Sequence, residues 1–212
     1  MTDAFSHQTA AEAFGADLDE PDLTALVGSR LCHDLISPLG AIGNGVELLA
    51  MSGTGMSPEM QLIAESVGNA SARLKFFRVA FGQSSVDQQV GRSETINLLA
   101  DLAQGGRLQF DWQVEGDQPR RLVKMAFLAV LCLENALPWG GVVRITREGE
   151  VYSLVAEARR TKPDPALWSM LTGEPGAVSP AQVQFRLLPR EALRQARQIR
   201  WSIDETGAFI RF

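Results

Sequence analysis

The sequence predicts an α+β protein built in two parts. An N-terminal helical hairpin, residues 21–84, forms a dimeric four-helix bundle, and residues 91–212 form a C-terminal α/β sandwich. Three observations predict this. Two long segments carry apolar residues at helical spacing, joined only by Ser52-Gly53-Thr54-Gly55-Met56. Beyond the polar stretch at residues 83–89 the pattern alternates between helix and strand periods, as helices covering a sheet require. The composition, 45% hydrophobic and 21% charged, suits a chain that buries a core.

The first helix is read from Leu31, Leu35, Pro38, Ile42 and Leu49, which fall on one helix face. Pro38 removes a backbone donor there and is expected to kink the helix. Ser57 and Pro58 supply an N-cap and a first helical residue for the second helix. Its Ile63, Val67, Ala70, Leu74, Phe77 and Phe81 recur at alternating steps of four and three, a heptad seam. The short link makes the two helices antiparallel neighbours. One hairpin cannot bury both apolar faces, whereas two copies can, so a homodimer is expected. Packing of the hairpin on its own C-terminal part is the other way to cover them.

In the second part, Ser93 is expected to cap a helix that ends near Gln104 at Gly105-Gly106. A strand follows at 108–114, then a helix at 121–137 that stops before Pro138. Residues 142–147 and 151–156 read as a hairpin turning at Glu148-Gly149-Glu150. A short helix is expected at 164–171. Residues 180–197 are expected to be helical with a break or restart at Pro189, and 199–203 and 208–212 form a closing hairpin. Arg186, Arg190, Arg194, Arg197 and Arg200 would share one face if that segment is a continuous helix.

Charge and composition exclude several classes. A net charge of −5 argues against a nucleic-acid scaffold. Two cysteines, Cys32 and Cys132, make neither a disulfide framework nor a metal-ligand spacing. No apolar run approaches the roughly 20 residues of a membrane span, and the N-terminus lacks a signal-peptide pattern, so a cytoplasmic protein is expected. Residues 1–20, rich in Asp and Glu and containing His7, read as a poorly ordered acidic tail.

His33 is the chemically informative residue. At about 100° per residue it lies roughly 160° from both Leu31 and Leu35, so its imidazole is expected to point away from the packed stripe. Asp34 is its neighbour. An exposed imidazole beside a carboxylate on a rigid helix suits nucleophilic chemistry on a partner. The surface around it carries Ser29, Arg30, Ser37, Gly40 and Asn44, all small or polar. Gly40, Gly43 and Gly45 each cost a helix about 0.8–1 kcal/mol relative to Ala, which suggests close approach by another body. Cys32 is expected to be a small apolar filler.

The run Leu31-Cys32-His33-Asp34-Leu35-Ile36-Ser37-Pro38-Leu39-Gly40-Ala41-Ile42, followed by Asn44-Gly45 and Glu47-Leu48-Leu49, resembles the H-box of two-component signalling proteins. It is specifically similar to that of the ChpT-type histidine phosphotransferases of alphaproteobacteria. The resemblance implies that His33 accepts a phosphoryl group from a receiver-domain aspartate and passes it to a second receiver. It implies a catalytic set of His33, Asp34 and Arg30, with Asp34 orienting the imidazole and Arg30 neutralising phosphate oxygens. Ser29, Ser37, Gly40 and Asn44 would form the docking surface. It further implies no cofactor of its own, Mg²⁺ being supplied by the partner receiver. The implied partners are a hybrid histidine kinase and CtrA-like and CpdR-like response regulators.

The C-terminal part resembles a degenerate histidine-kinase ATP-binding domain. Leu133-Glu134-Asn135-Ala136 is similar to the end of that family's N-box, but Leu131 stands where its first Asn would be. The first Asp after Asn135 is Asp164, in Lys162-Pro163-Asp164-Pro165, with no glycines after it. The corresponding strand reads Val155-Ala156-Glu157-Ala158-Arg159-Arg160. Gly140-Gly141 and Gly173-x-x-Gly176 are isolated turns, not a phosphate cradle. The expectation is no useful ATP binding, with Asn135 hydrogen-bonded within its own helix end. An ATP-dependent histidine kinase with an unorthodox nucleotide site, and a non-catalytic dimeric adaptor, are the alternatives.

Overall fold

The computed structural model describes residues 23–54, 56–85 and 87–212. The expected acidic tail lies outside them. Helix α1 (Leu23–Leu49) runs on into a π-helical turn, Ala50–Thr54, and α2 (Pro58–Ala80) returns antiparallel to it. Ser57 caps α2: its hydroxyl accepts a hydrogen bond from Met60 N at 3.3 Å, and Pro58 fills the first helical position. Pro38 does not break α1, which continues through it.

The C-terminal part places helices on one face of a five-stranded sheet. Its elements are β1 (Gln89–Val90), α3 (Arg92–Gln104), β2 (Leu108–Trp112), β3 (Gln118–Pro119) and α4 (Arg120–Ala136). These are followed by β4 (Gly141–Glu148), β5 (Val151–Glu157), α5 (Pro165–Ser169), α6 (Gln184–Arg194), β6 (Arg200–Ile203) and β7 (Gly207–Arg211). The sheet order is β2-β4-β5-β7-β6. Strands β2 and β4 are parallel, with Phe110 opposite Val143, and α4 is their crossover. The other neighbours are antiparallel, and Gly149, at φ 58°, makes the β4–β5 turn. Alternation along β4 and β5 sends Val143, Ile145, Tyr152, Leu154 and Ala156 under the helices and leaves Val142, Val151 and Val155 on the open face.

Several sequence expectations are corrected. Ser93 lies inside the first turn of α3, and the cap position is Gly91. Asp117 takes over the capping, accepting from Arg92 N at 3.0 Å, a long-range substitute that local pattern could not reveal. Pro189 neither breaks nor restarts α6; it is buried within one continuous helix. The arginine face is shorter than expected, because α6 ends at Arg194. Arg197 lies beyond it and pairs with Glu150 at 3.3 Å, and Arg200 starts β6. Asp164 caps α5 by accepting from Leu167 N at 3.1 Å.

The hairpin's apolar residues divide between two faces. Cys32 and Val46 of α1, fourteen apart, are buried toward α2, and Ala25 is buried beside Phe81, Lys124 and α6. Ala72, Phe76, Val79 and Ala80 of α2 are buried toward the C-terminal part, where Phe76 stacks on Phe127 of α4 at 4.3 Å and 9°. The hairpin therefore does pack on its own C-terminal part, chiefly through residues outside the expected stripes, of which Phe77 and Phe81 join the core. Leu31 (57% exposed), Leu35 (47%), Ile42 (50%) and Ile63 (47%) lie in the open. By length and composition alone, Ala25–Ser52 would pass for a membrane span, against the sequence expectation. The uncovered stripe is what makes it so apolar.

Cations from α4 hold the end of α2. Arg120 donates to the carbonyls of Gln83 (3.1 Å) and Arg78 (2.9 Å), and the buried Lys124 donates to that of Gly82 at 3.0 Å. These carbonyls are the ones a helix C-terminus leaves unsatisfied, and positive charge is favourable there. Gly82 is required at this point, since a Cβ would run into the carbonyl of Arg78. Lys124 also faces Glu191 of α6 at 3.7 Å.

Two predictions follow from this packing. Phe76→Ala should cost about 3–5 kcal/mol in denaturant unfolding, because it removes a fully buried ring at the joint. Tyr152, the single tyrosine, is pushed up to about 12 by burial. Because its folded value exceeds the unfolded one, its contribution to stability is intact below about pH 10 and is lost as pH rises toward 12. Tyrosinate absorbance of the native protein should lag that of the urea-unfolded chain correspondingly; coincident curves would contradict the burial.

Candidate functional site on the first helix

His33 stands on the outer surface of α1 with 83% of its side chain exposed. Its Nδ1 lies 3.0 Å from Asp34 Oδ1. The other carboxylate oxygen, Oδ2, lies 2.7 Å from Nε of Arg30, one turn earlier. Asp34 thus bridges imidazole and guanidinium. The hydrogen bond with His33, together with the charge of Arg30, holds its carboxyl below the usual carboxylate range. An ionised carboxylate only accepts, so Nδ1 is the donor in this bond, which leaves the Nε2 edge of the ring facing solvent. The arrangement presents an exposed, oriented imidazole on a helix surface.

The other residues named from sequence are less uniform. Arg30 is exposed and paired with Asp34. Ser37, Gly40 and Asn44 are exposed along α1, and a Cβ on Gly40 would meet nothing within 4 Å. Ser29 faces elsewhere: half-buried, it accepts a hydrogen bond from Gln83 N at 3.1 Å and ties α1 to the end of α2. Gly43 and Gly45 show no close approach within the chain; a Cβ on Gly43 would touch Val67 at 3.6 Å and one on Gly45 would meet nothing. Cys32, beside His33, is buried, and burial pushes its thiol up, with Arg78 acting the other way. It fills the α1–α2 interface.

Asn135 does not bond within its helix end. Its side chain makes no hydrogen bond among the described residues and lines a groove of about 480 Å³ with Arg73, Phe77, Leu131 and Gln184. Beside it Glu134 is clasped by both terminal nitrogens of Arg73, each at 2.9 Å, in a bidentate pair joining α4 to α2. Sequence reasoning missed this pair, since the two residues are 61 positions apart and neither belongs to a local pattern.

A family model, the histidine phosphotransferase C-terminal domain, matches residues 92–207. The chain belongs to that family. It is 40% identical over 132 residues to the protein phosphotransferase ChpT of Brucella abortus, a match covering 60% of this chain and 62% of that protein. The chain thus spans somewhat under two thirds of this curated relative's length. It also resembles the solved structure of a bacterial phosphotransferase, at 27% identity, with a TM-score of 0.64 and coverage of 90% of this chain and 95% of the other. The family match lies in the α/β sandwich, whereas His33 lies on the hairpin, which the second likeness includes.

Asp34→Asn should release the imidazole. An amide can accept at Nδ1–H or donate to a bare Nδ1, so both ring tautomers become available. Ring ¹⁵N shifts of His33 should move from one tautomer toward a mixture while far-ultraviolet circular dichroism stays unchanged. An unaltered tautomer signature would remove Asp34 from its positioning role.

Proposed function

We propose that this chain is a histidine phosphotransferase of a two-component phosphorelay, with His33 as the phosphoryl carrier. The observation that carries this reading is the free Nε2 of an exposed imidazole whose Nδ1 is held by an ionised Asp34. In the forward step the Nε2 lone pair attacks the phosphorus of a receiver's aspartyl phosphate. The phosphorus–oxygen bond to the aspartyl carboxylate breaks and that carboxylate leaves with the electron pair. The Nδ1 proton stays on the ring, where Asp34 offsets the developing positive charge. A second receiver's aspartate reverses the sequence. Such transfer is mostly positioning and charge stabilisation, for which a fixed helix surface suffices. Mg²⁺ is the receiver's own in this scheme, and Arg30 acts through Asp34 until a phosphate competes for it.

The working form in this reading is a homodimer in the cytoplasm. Leu31, Leu35, Ile42 and Ile63 form an apolar strip along one hairpin, the kind of surface that a second hairpin buries in a four-helix bundle. Arg30 and Asp34 flank this strip as an exposed ion pair and His33 lies opposite it, so a bilayer covering the strip would have to accommodate the ion pair, which supports a protein partner over a bilayer. By resemblance, the receivers belong to a hybrid histidine kinase and to CtrA-like and CpdR-like regulators acting in the cell cycle.

The decisive experiment mixes the protein with a phosphorylated receiver and locates the label. Wild type should acquire acid-labile, base-stable label, and His33→Gln should acquire none while keeping its fold and mass. Label on His33→Gln would refute the assignment. Leu35→Asp should convert a dimer to a monomer in sedimentation, because an unpaired charge is costly in an apolar seam. A wild-type monomer at micromolar concentration would contradict the bundle. ATP with Mg²⁺ should give neither label nor a rise in melting temperature, and saturable binding would favour the kinase reading.

A further inference from the structure

Strand β2 is an outer strand of the sheet, paired on one side only, with β4. Arg107 O accepts from Gly141 N at 3.4 Å, and Gln113 N donates to Ile145 O at 2.8 Å, so the odd-numbered residues of this stretch turn their backbone groups to β4. Alternation then turns the N–H and C=O groups of Leu108, Phe110 and Trp112 the other way. No described residue pairs with them there. A row of unpaired donors and acceptors at this spacing is complementary in partial charge to the backbone of another extended chain.

Beside this edge, β2 and α3 form a groove of about 520 Å³. Ile96, Ala100 and Ala103 line it from one face of α3, and Phe110 and Trp112 line it from β2. Ala100 is exposed and Phe110 half-buried, and among the described residues no charged side chain lines the groove. Trp112 is 6% exposed, and its Nε1 is buried without a hydrogen-bond partner among the described residues, a costly state for a donor. A second copy of β2 does not fill this groove, because its Leu108 and Trp112 are already buried in its own core. We propose that β2 and α3 form a receptor for an extended segment of a partner protein, uncharged and apolar at alternate positions, which adds to the sheet as a sixth strand. Its backbone pairs with Leu108, Phe110 and Trp112, and every second side chain enters the groove over the small Ala100 and Ala103. An oxygen of the segment accepts from Trp112 Nε1. This surface shares no residue with the His33 site and is independent of phosphoryl transfer.

Residue-resolved hydrogen exchange on the full-length protein tests this, with an acetylated and amidated hexapeptide alternating Val and Thr as the probe. At about 1 mM peptide, protection of the amides of Leu108, Phe110 and Trp112 should rise about tenfold, while that of Gln109 and Asp111, already bonded to β4, should not change. The indole N–H signal of Trp112, assigned among the four tryptophans by its loss in Trp112→Phe, should move downfield. N-methylation of one alternate set of peptide amides should abolish both changes, and N-methylation of the other set should leave them. Ala100→Trp, which fills the groove from an exposed position, should abolish them with circular dichroism unaltered. Absence of the alternating protection, or an indole signal that stays in place, overturns the proposal, as does equal binding by both methylated peptides. If the three amides are protected without peptide, the edge is already covered and the proposal fails. A second copy is then the cover if dilution exposes them, and this chain itself if dilution does not.

Discussion

The seating of α2 on α4 is the constraint on which the rest of the structure depends. Phe76 stacks on Phe127 in the buried core, while Arg120 and Lys124 take the carbonyls at the end of α2. Apolar burial supplies affinity at such a joint, and the cation–carbonyl bonds supply direction, since a misplaced helix end would strand both a buried charge and unsatisfied acceptors. Ser29 extends the grip to α1 through Gln83. A hairpin that could otherwise swing is thereby committed to one orientation, and His33 takes a defined place on its outer surface.

That commitment divides the surface of α1. One side is spent within the chain, Cys32 and Val46 on α2 and Ala25 beside Phe81 and α6. A second, with Leu31, Leu35 and Ile42, remains apolar and uncovered. The third presents His33 with Asp34 and Arg30. Each side follows from helical spacing, yet only the packing of α2 decides which apolar side is consumed within the chain. The Arg73–Glu134 clasp ties α2 to α4 beside Asn135 and the groove that it lines.

Local signals were legible where the chemistry is local. Ser57 before Pro58 gave the cap of α2, and Gly149 gave the β4–β5 turn, because a cap or a turn is settled within four residues. The His33–Asp34 contact was legible for the same reason. Readings failed where a distant residue intervened. Asp117 displaced Ser93 as the cap of α3, Gln83 drew Ser29 away from the His33 surface, and Glu150 drew Arg197 from the arginine row. Pro189 looked like a break, but burial against the core holds α6 continuous through it.

By itself the sequence determined the order of elements, the two helical stripes and the His33–Asp34 pair, all set by neighbours within a turn or two of chain. Only the tertiary structure decided which stripe is buried, that Asp34 bridges His33 to Arg30, and that α4 grips the end of α2. Those choices join residues up to 61 positions apart, as Arg73 and Glu134 are. Periodicity records that a face is apolar but not what will cover it, so the partner of each face is settled only when the competing surfaces are assembled in space.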